Sequence, residues 1–213
     1  MPIRYVFIGI IVPFSVLVPI LFGLINYKTA KTNSRILLYY LIISGIINVI
    51  AILIQRYHLS NLPLLHVYTL IEAIFLISYF RLIFNDLFIK KVLFSLTILF
   101  PIICILNFTF LQSIYTFNTN TRPLEAIIIT FFCMLYIYKS GFTENWICKP
   151  VNWFNMGILI YFPTAFIIFI SSNYLIVNNN KTMTNMVWDI HAALVLLMYL
   201  LWSRGFYLLK NGR

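Results

Sequence analysis

Apolar side chains fill almost the whole chain in runs of about 18–22 residues, parted by short polar stretches. At about 1.5 Å rise per residue, each run as a helix crosses the ~30 Å hydrocarbon layer of a bilayer. The pattern predicts seven spans, roughly 5–26, 36–54, 63–80, 91–108, 124–138, 153–173 and 187–206. Span five is short and Pro101 interrupts span four, so six is the alternative count. Backbone polar groups in lipid have to bond within the protein, which leaves helices or a closed barrel. The runs lack the two-residue alternation of barrel strands and are too long for them. The expected fold class is all-α, a polytopic membrane helix bundle forming one domain over 1–213. Arg4 followed by an apolar stretch imitates a signal peptide. The stretch is too long for one and no small-residue cleavage site follows, so it is taken as the first helix.

Composition agrees. The chain is 62% hydrophobic and only 9% charged, whereas soluble domains carry roughly a quarter charged residues. Basic residues then set an orientation. Lys28, Lys31, Arg35, Arg81, Lys90, Lys91, Lys139, Lys149, Arg204, Lys210 and Arg213 share one side of a seven-span chain. Arg4, Arg56, Arg122 and Lys181 fall on the other. The positive-inside rule predicts a cytoplasmic C-terminus and an N-terminus outside. Trp146, Trp153, Trp188 and Trp202 all fall near predicted interfaces. The net charge of +10 is thereby explained without nucleic acid, and no basic run is interleaved with base-stacking aromatics. Cys104 and Cys133 lie in spans and Cys148 on the cytoplasmic side, so no structural disulfide is expected. Heavy use of Ile, Asn and Lys points to an AT-rich, bacterial genome and hence to the inner membrane. Asn107 and Asn180 match the glycosylation pattern, which matters only in a secretory-pathway host. The 109–123 and 174–186 stretches are expected as polar outer loops.

Against this apolar background a few polar positions stand out. Glu72 sits in the middle of HVYTLIEAIFLISYF, residues 66–80. A carboxylate at that depth costs around 2.5–3.5 kcal/mol on insertion scales, so it is expected to face protein or water. Tyr68, Thr69 and Tyr79 share its helical face, while Leu70, Ile74 and Ile77 lie opposite. On span two, Tyr40, Ser44, Asn48 and Gln55 form a second polar stripe. Spans two and three are joined by a short connection, which makes them antiparallel neighbours and predicts an Asn48–Glu72 hydrogen bond. Toward the outer ends come His66, Glu125 with Arg122, and Asp189 with His191. Together these residues are expected to line an outward-facing pocket. Each has a plainer reading as well: Glu72 as an interhelical hydrogen-bonding group, the histidines as hydrated interface residues, Glu125 and Asp189 as complements to helix dipoles. The six-residue stretches IEAIFL (71–76) and LEAIII (124–129) are similar, but their acids lie at different depths and chance explains the likeness.

Sharper chemistries find little support. Only three histidines exist and none is paired as H-x-x-x-H or H-E-x-x-H, so no metal site is expected. No Ser or Cys stands in a nucleophile motif and no glycine-rich phosphate loop is present. A retinal protein needs a lysine within its last helix, and WDIHAALVLLMYLLW has none. No catalytic residue and no cofactor are expected. Pro13, Pro19, Pro101 and Pro163 each remove a backbone bond at membrane depth and are expected to kink their helices.

HVYTLIEAIFLISYF in span three and WFNMGILIYFP in span six resemble small, uncharacterised seven-helix bacterial membrane proteins over nearly the full length. That resemblance implies a seven-helix fold and transfers no functional residue. The function expected is that of a non-enzymatic sensor or accessory subunit. It would bind a small-molecule ligand from the outer side, or a membrane or cytoplasmic protein partner, at the pocket around Glu72. A small transporter or channel using Glu72 is the second reading, and a membrane-embedded lipid enzyme the third.

Overall fold

A computed structural model describes residues 3–141, 145–178 and 181–211, so Asn180 and Arg213 lie outside the described residues. Seven helices are long and apolar enough to cross a membrane. They are α1 (Arg4–Ile25), α2 (Thr32–Arg56), α3 (Leu62–Ile83), α4 (Leu87–Leu111), α5 (Thr121–Ser140), α6 (Pro150–Leu175) and α7 (Lys181–Leu208). No strand occurs among the described residues.

Most helices outrun the apolar runs that predict them, because polar ends lying beyond an apolar layer can stay helical. Asp86 caps α4 by accepting hydrogen bonds from Phe88 N at 2.9 Å and Ile89 N at 3.3 Å. The helix therefore starts four residues before the expected boundary. The expected 174–186 loop is mostly helix: the backbone of α6 continues to Val177, and α7 begins at Lys181. The kinks concentrate in α1. A π-helical turn spans Phe7–Ile11 just before Pro13, and the helix is interrupted at Val16 before Pro19. Pro101 and Pro163 sit inside unbroken helices.

The helices alternate in direction. The α2–α3 and α4–α5 connections meet at one end, where His66 Nε2 lies 3.1 Å from the carbonyl of Thr116. At the other end Lys139 donates to Asp86 at 2.8 Å and Asn26 Nδ2 donates to the carbonyl of Phe206 at 3.3 Å. Helices α1, α2, α3, α5, α6 and α7 follow one another around a closed ring, with α4 outside it, chiefly against α3. Because α2, α4 and α5 all pack on α3, even Ile77, opposite the polar stripe, is buried.

Helices α6 and α7 make the closest seam. A Cβ added at Gly157 would stand 2.6 Å from Trp202 Nε1, and one at Gly205 2.6 Å from the Phe154 ring. Small residues let membrane helices approach and gain van der Waals contact where lipid removes the usual hydrophobic drive. Trp202 donates to the carbonyl of Phe154 at 3.0 Å and is fully buried, so it is a core residue and not the interface anchor its position predicts. The outward surface stays apolar, with Leu21, Ile25, Ile46, Ile98 and Leu99 all more than half exposed. Such a surface suits lipid contact. Cys104 and Cys133 are buried, Cys148 is exposed, and all three are free.

Candidate functional site

The polar stripes on α2 and α3 face each other, in a register different from the expected one. Tyr40 stands level with Glu72 and donates to its Oε1. One turn on, Ser44 stands level with Tyr68, their hydroxyls 3.3 Å apart. Asn48 is then level with Leu64, two turns from Glu72 or about 12 Å. The expected Asn48–Glu72 hydrogen bond is therefore not made. The difference lies in the connection. α2 runs on to Arg56 and overhangs the start of α3, and the chain turns back through His58, whose φ is 59°.

Tyr68 also donates to Glu72 Oε1 at 3.0 Å, and the two phenolic oxygens are 2.6 Å apart. Three oxygens thus touch pairwise while the tyrosines supply two protons, so one of the three contacts carries none. The other carboxylate oxygen, Oε2, pairs with Arg122 Nη1.

Arg122 is delivered by the start of α5. Asn118, fully buried, accepts from Thr121 N at 3.0 Å, Thr121 Oγ1 at 2.9 Å and Arg122 N at 3.3 Å. Its amide then donates to Thr69 Oγ1 at 3.3 Å, tying the first turn of α5 to α3. From there Arg122 Nη1 also reaches Glu125 Oε2 at 2.6 Å, and Nη2 donates to Tyr161 Oη at 3.1 Å. The guanidinium lies 5.2 Å from the ring centre of Phe169 and 5.5 Å from that of Tyr68. Glu72, Arg122 and Glu125 are all at least 98% buried. Two carboxylates therefore share one guanidinium inside the ring of helices. Glu125 Oε1 and Arg122 Nε find no hydrogen-bond partner among the described residues.

Glu72 and Arg122 form part of the wall of a cavity of about 530 Å³. Ser44, Asn48 and Gln55 line it from α2, Leu64 and Tyr68 from α3, and Ile8, Val12 and Pro13 from the irregular part of α1. Tyr161 and Phe169 of α6 and Trp188, His191, Ala192 and Tyr199 of α7 complete it. Gln55 is exposed, so the cavity runs from the overhang of α2 inward to Glu72.

Of the residues expected at the pocket, Glu72, Tyr68, Asn48 and His191 line this cavity. His191 stands on the cavity wall, its ring packed against Tyr161, Phe169 and Trp188, each 5.5 Å away by ring centres. Glu125 is not at an exposed helix mouth but lies behind Arg122. His66 and Thr69 are buried against the connection between α4 and α5, outside the cavity wall. Asp189 leaves the site altogether: it faces outward from α7 and pairs with Arg4 of α1 at 2.8 Å. Asn107 is buried and accepts from Asn120 Nδ2 at 2.8 Å, so its glycosylation pattern is inaccessible. Among the described residues no group of three His, Cys, Asp or Glu side chains comes together as a metal site.

Tyr161, Tyr199 and Asn118 are the members sequence reasoning leaves out; Arg122 was expected at the pocket beside Glu125, but not as the partner of Glu72. One signal pointed to Arg122. It stands three residues before Glu125, a spacing at which helical side chains meet, and Glu72 lacks a basic partner on its own helix or the next.

No family model, curated protein or solved structure matches the chain.

Proposed function

We propose that the chain is a multi-pass protein of a bacterial inner membrane that binds a small ligand from the outer side. It then acts as a sensor or accessory subunit, passing the event through its helices to a membrane or cytoplasmic protein partner, and is not an enzyme. The observation that carries this reading is the cavity of about 530 Å³ ending on the buried Glu72–Arg122 pair. That volume falls within the ~300–1,000 Å³ typical of small-molecule sites, and apolar walls with a few convergent polar groups are their usual make-up.

The orientation follows from the basic residues. Arg122 is neutralised by its carboxylates and Arg4 by Asp189, leaving Arg56 and Lys181 at the end where the cavity opens. Among the described residues the opposite end holds ten of the other basic residues, of which Lys139 pairs with Asp86, and this excess supports an N-terminus outside and a C-terminus in the cytoplasm. Membrane-impermeant maleimide on intact cells tests this. Cysteine placed at Gln55 is expected to react and Cys148 not to react; the reverse overturns the orientation.

Ligand binding is tested on purified protein in nanodiscs, by thermal stability against a panel of small amines, alcohols and carboxylates. At least one class is expected to stabilise the wild type. Ala192→Leu, which grows a side chain into the cavity without touching the ion pairs, is expected to remove that response. A panel with no stabiliser, or an unaltered response in Ala192→Leu, overturns the reading.

A transporter is the second reading, favoured by the broken α1. Discontinuous helices beside a mid-membrane site are a transporter device. Ile8 of the π-helical turn, with Val12 and Pro13 directly after it, lines the cavity. Solute or proton flux in proteoliposomes that Glu72→Gln abolishes selects this reading over the sensor.

A further inference from the structure

The cavity carries a charge preference, and the preference names a ligand class within the ligand-binding reading on which it rests. Glu72 and Arg122 are the charged side chains on its wall, and Glu125 stands directly behind them. Two carboxylates against one guanidinium leave the buried triad one positive charge short. Glu125 Oε1, an acceptor at a residue 1% exposed, has no hydrogen-bond partner among the described residues. Burying such an excess is unfavourable until a cation or a proton meets it. An anion faces the opposite problem. Bound beside Arg122, it would add a further negative charge to the two buried carboxylates that already outnumber the guanidinium.

The rest of the wall suits a cation with an apolar body. Tyr68, Tyr161, Phe169, Trp188 and Tyr199 present aromatic surface, and ring faces attract ammonium groups. Val12 and Ala192 supply apolar wall. Tyr68 provides a way in. Its hydroxyl bonds Glu72 Oε1 at 3.0 Å but also has Tyr40 at 2.6 Å and Ser44 at 3.3 Å as partners. An ammonium can therefore take over its place on Oε1 while Tyr68 turns its proton to a neighbour, with no polar group stranded.

We infer that the cavity takes a small organic cation, an ammonium head on a compact apolar body, with the head bonded to Glu72 Oε1 in place of the Tyr68 hydroxyl. Three probes with one body and different heads test it: 3,3-dimethylbutylamine, 3,3-dimethyl-1-butanol and 3,3-dimethylbutyrate, each titrated calorimetrically into the protein in nanodiscs. The amine is expected to bind about tenfold tighter than the alcohol, and the carboxylate to give no binding heat. Glu72→Gln is expected to erase the amine's advantage over the alcohol. Should that variant fail to fold, Ala192→Leu leaves the triad intact and is expected to abolish amine binding.

If the alcohol or the carboxylate binds as well as the amine, the cation assignment falls while the ligand-binding reading stands. If no probe binds and no compound of the wider panel stabilises the protein, both fall. If the amine fails to bind while another compound stabilises, a proton meets the excess charge and the cation assignment falls alone.

Discussion

Arg122 reaches from the first turn of α5 to the middle of α3, where its Nη1 pairs with Glu72 Oε2. Fifty residues separate the two in sequence, and in space they form the floor of the cavity. The pair decides where the excess of one carboxylate lies, and the first expectation concerns it. Arg122→Met leaves two carboxylates buried without a counter-charge and is expected to cost about 3–5 kcal/mol. Glu125→Gln removes the excess charge and is expected to stay within about 1 kcal/mol of the wild type. Denaturant unfolding in mixed micelles measures both; equal losses in the two variants overturn the asymmetry.

The tyrosines should be unequal. Tyr40 is buried, and its bond to Glu72 is sealed between α2 and α3, whereas Tyr68 opens on the cavity. Tyr40→Phe is expected to lose about 1.5–3 kcal/mol, the range for hydrogen bonds to charged groups. Tyr68→Phe is expected to lose less, because Tyr40 still serves Oε1 and water can enter from the cavity. The same unfolding assay ranks them.

The seam between α6 and α7 depends on absent side chains. Gly205→Ala brings a methyl within 2.6 Å of the Phe154 ring. That ring is locked against Phe206 and Trp202 and cannot withdraw. Overpacking of this kind is expected to cost about 1–3 kcal/mol. Gly9→Ala, where nothing lies within 4 Å of the added carbon, is the control and should fall short of that range.

A pH effect is expected at the opposite end from the cavity. Lys139 donates to Asp86, and this bond, helped by the amides of Ile89 and Phe88, holds the Asp86 carboxyl below its ordinary value. A lowered folded value means the stabilisation is fully present above the unfolded aspartate value of about 3.9. It is lost as pH falls through the folded value. Both groups are exposed, so the contribution is small and weakened by salt. Lys139→Gln should move the Asp86 titration, read by carboxyl ¹³C shifts, upward toward the ordinary value. An unmoved titration refutes the assignment.

Much of the fold was legible because membrane spans announce themselves as unbroken apolar runs. Seven were expected and seven helices are long and apolar enough, the extra length lying at polar ends such as 181–186 that hydropathy discards. The inward turn of Glu72 and the stripe from Tyr40 to Gln55 were legible through helical spacing alone. The partner of Glu72 was not. Its identity depends on how far α2 overhangs α3, which is set by the left-handed residue His58. It depends also on Asn118 capping α5 from outside the helix. Neither leaves a trace in periodicity. Asp189 was misplaced because proximity to His191 along α7 says nothing about which face a side chain takes. Trp202 was misread because a tryptophan near a helix end fits an interface or a glycine-lined seam equally well.

The position of α4 outside the closed ring has a mechanical consequence. Sideways pressure on that flank, from lipid or from a docked helix, meets α4 first. It then passes chiefly to α3, the helix that carries Tyr68 and Glu72. Six helices form the vessel and the seventh is its handle, fixed to the wall that bears the acid. Tilting the handle would shift that wall while the vessel stays shut.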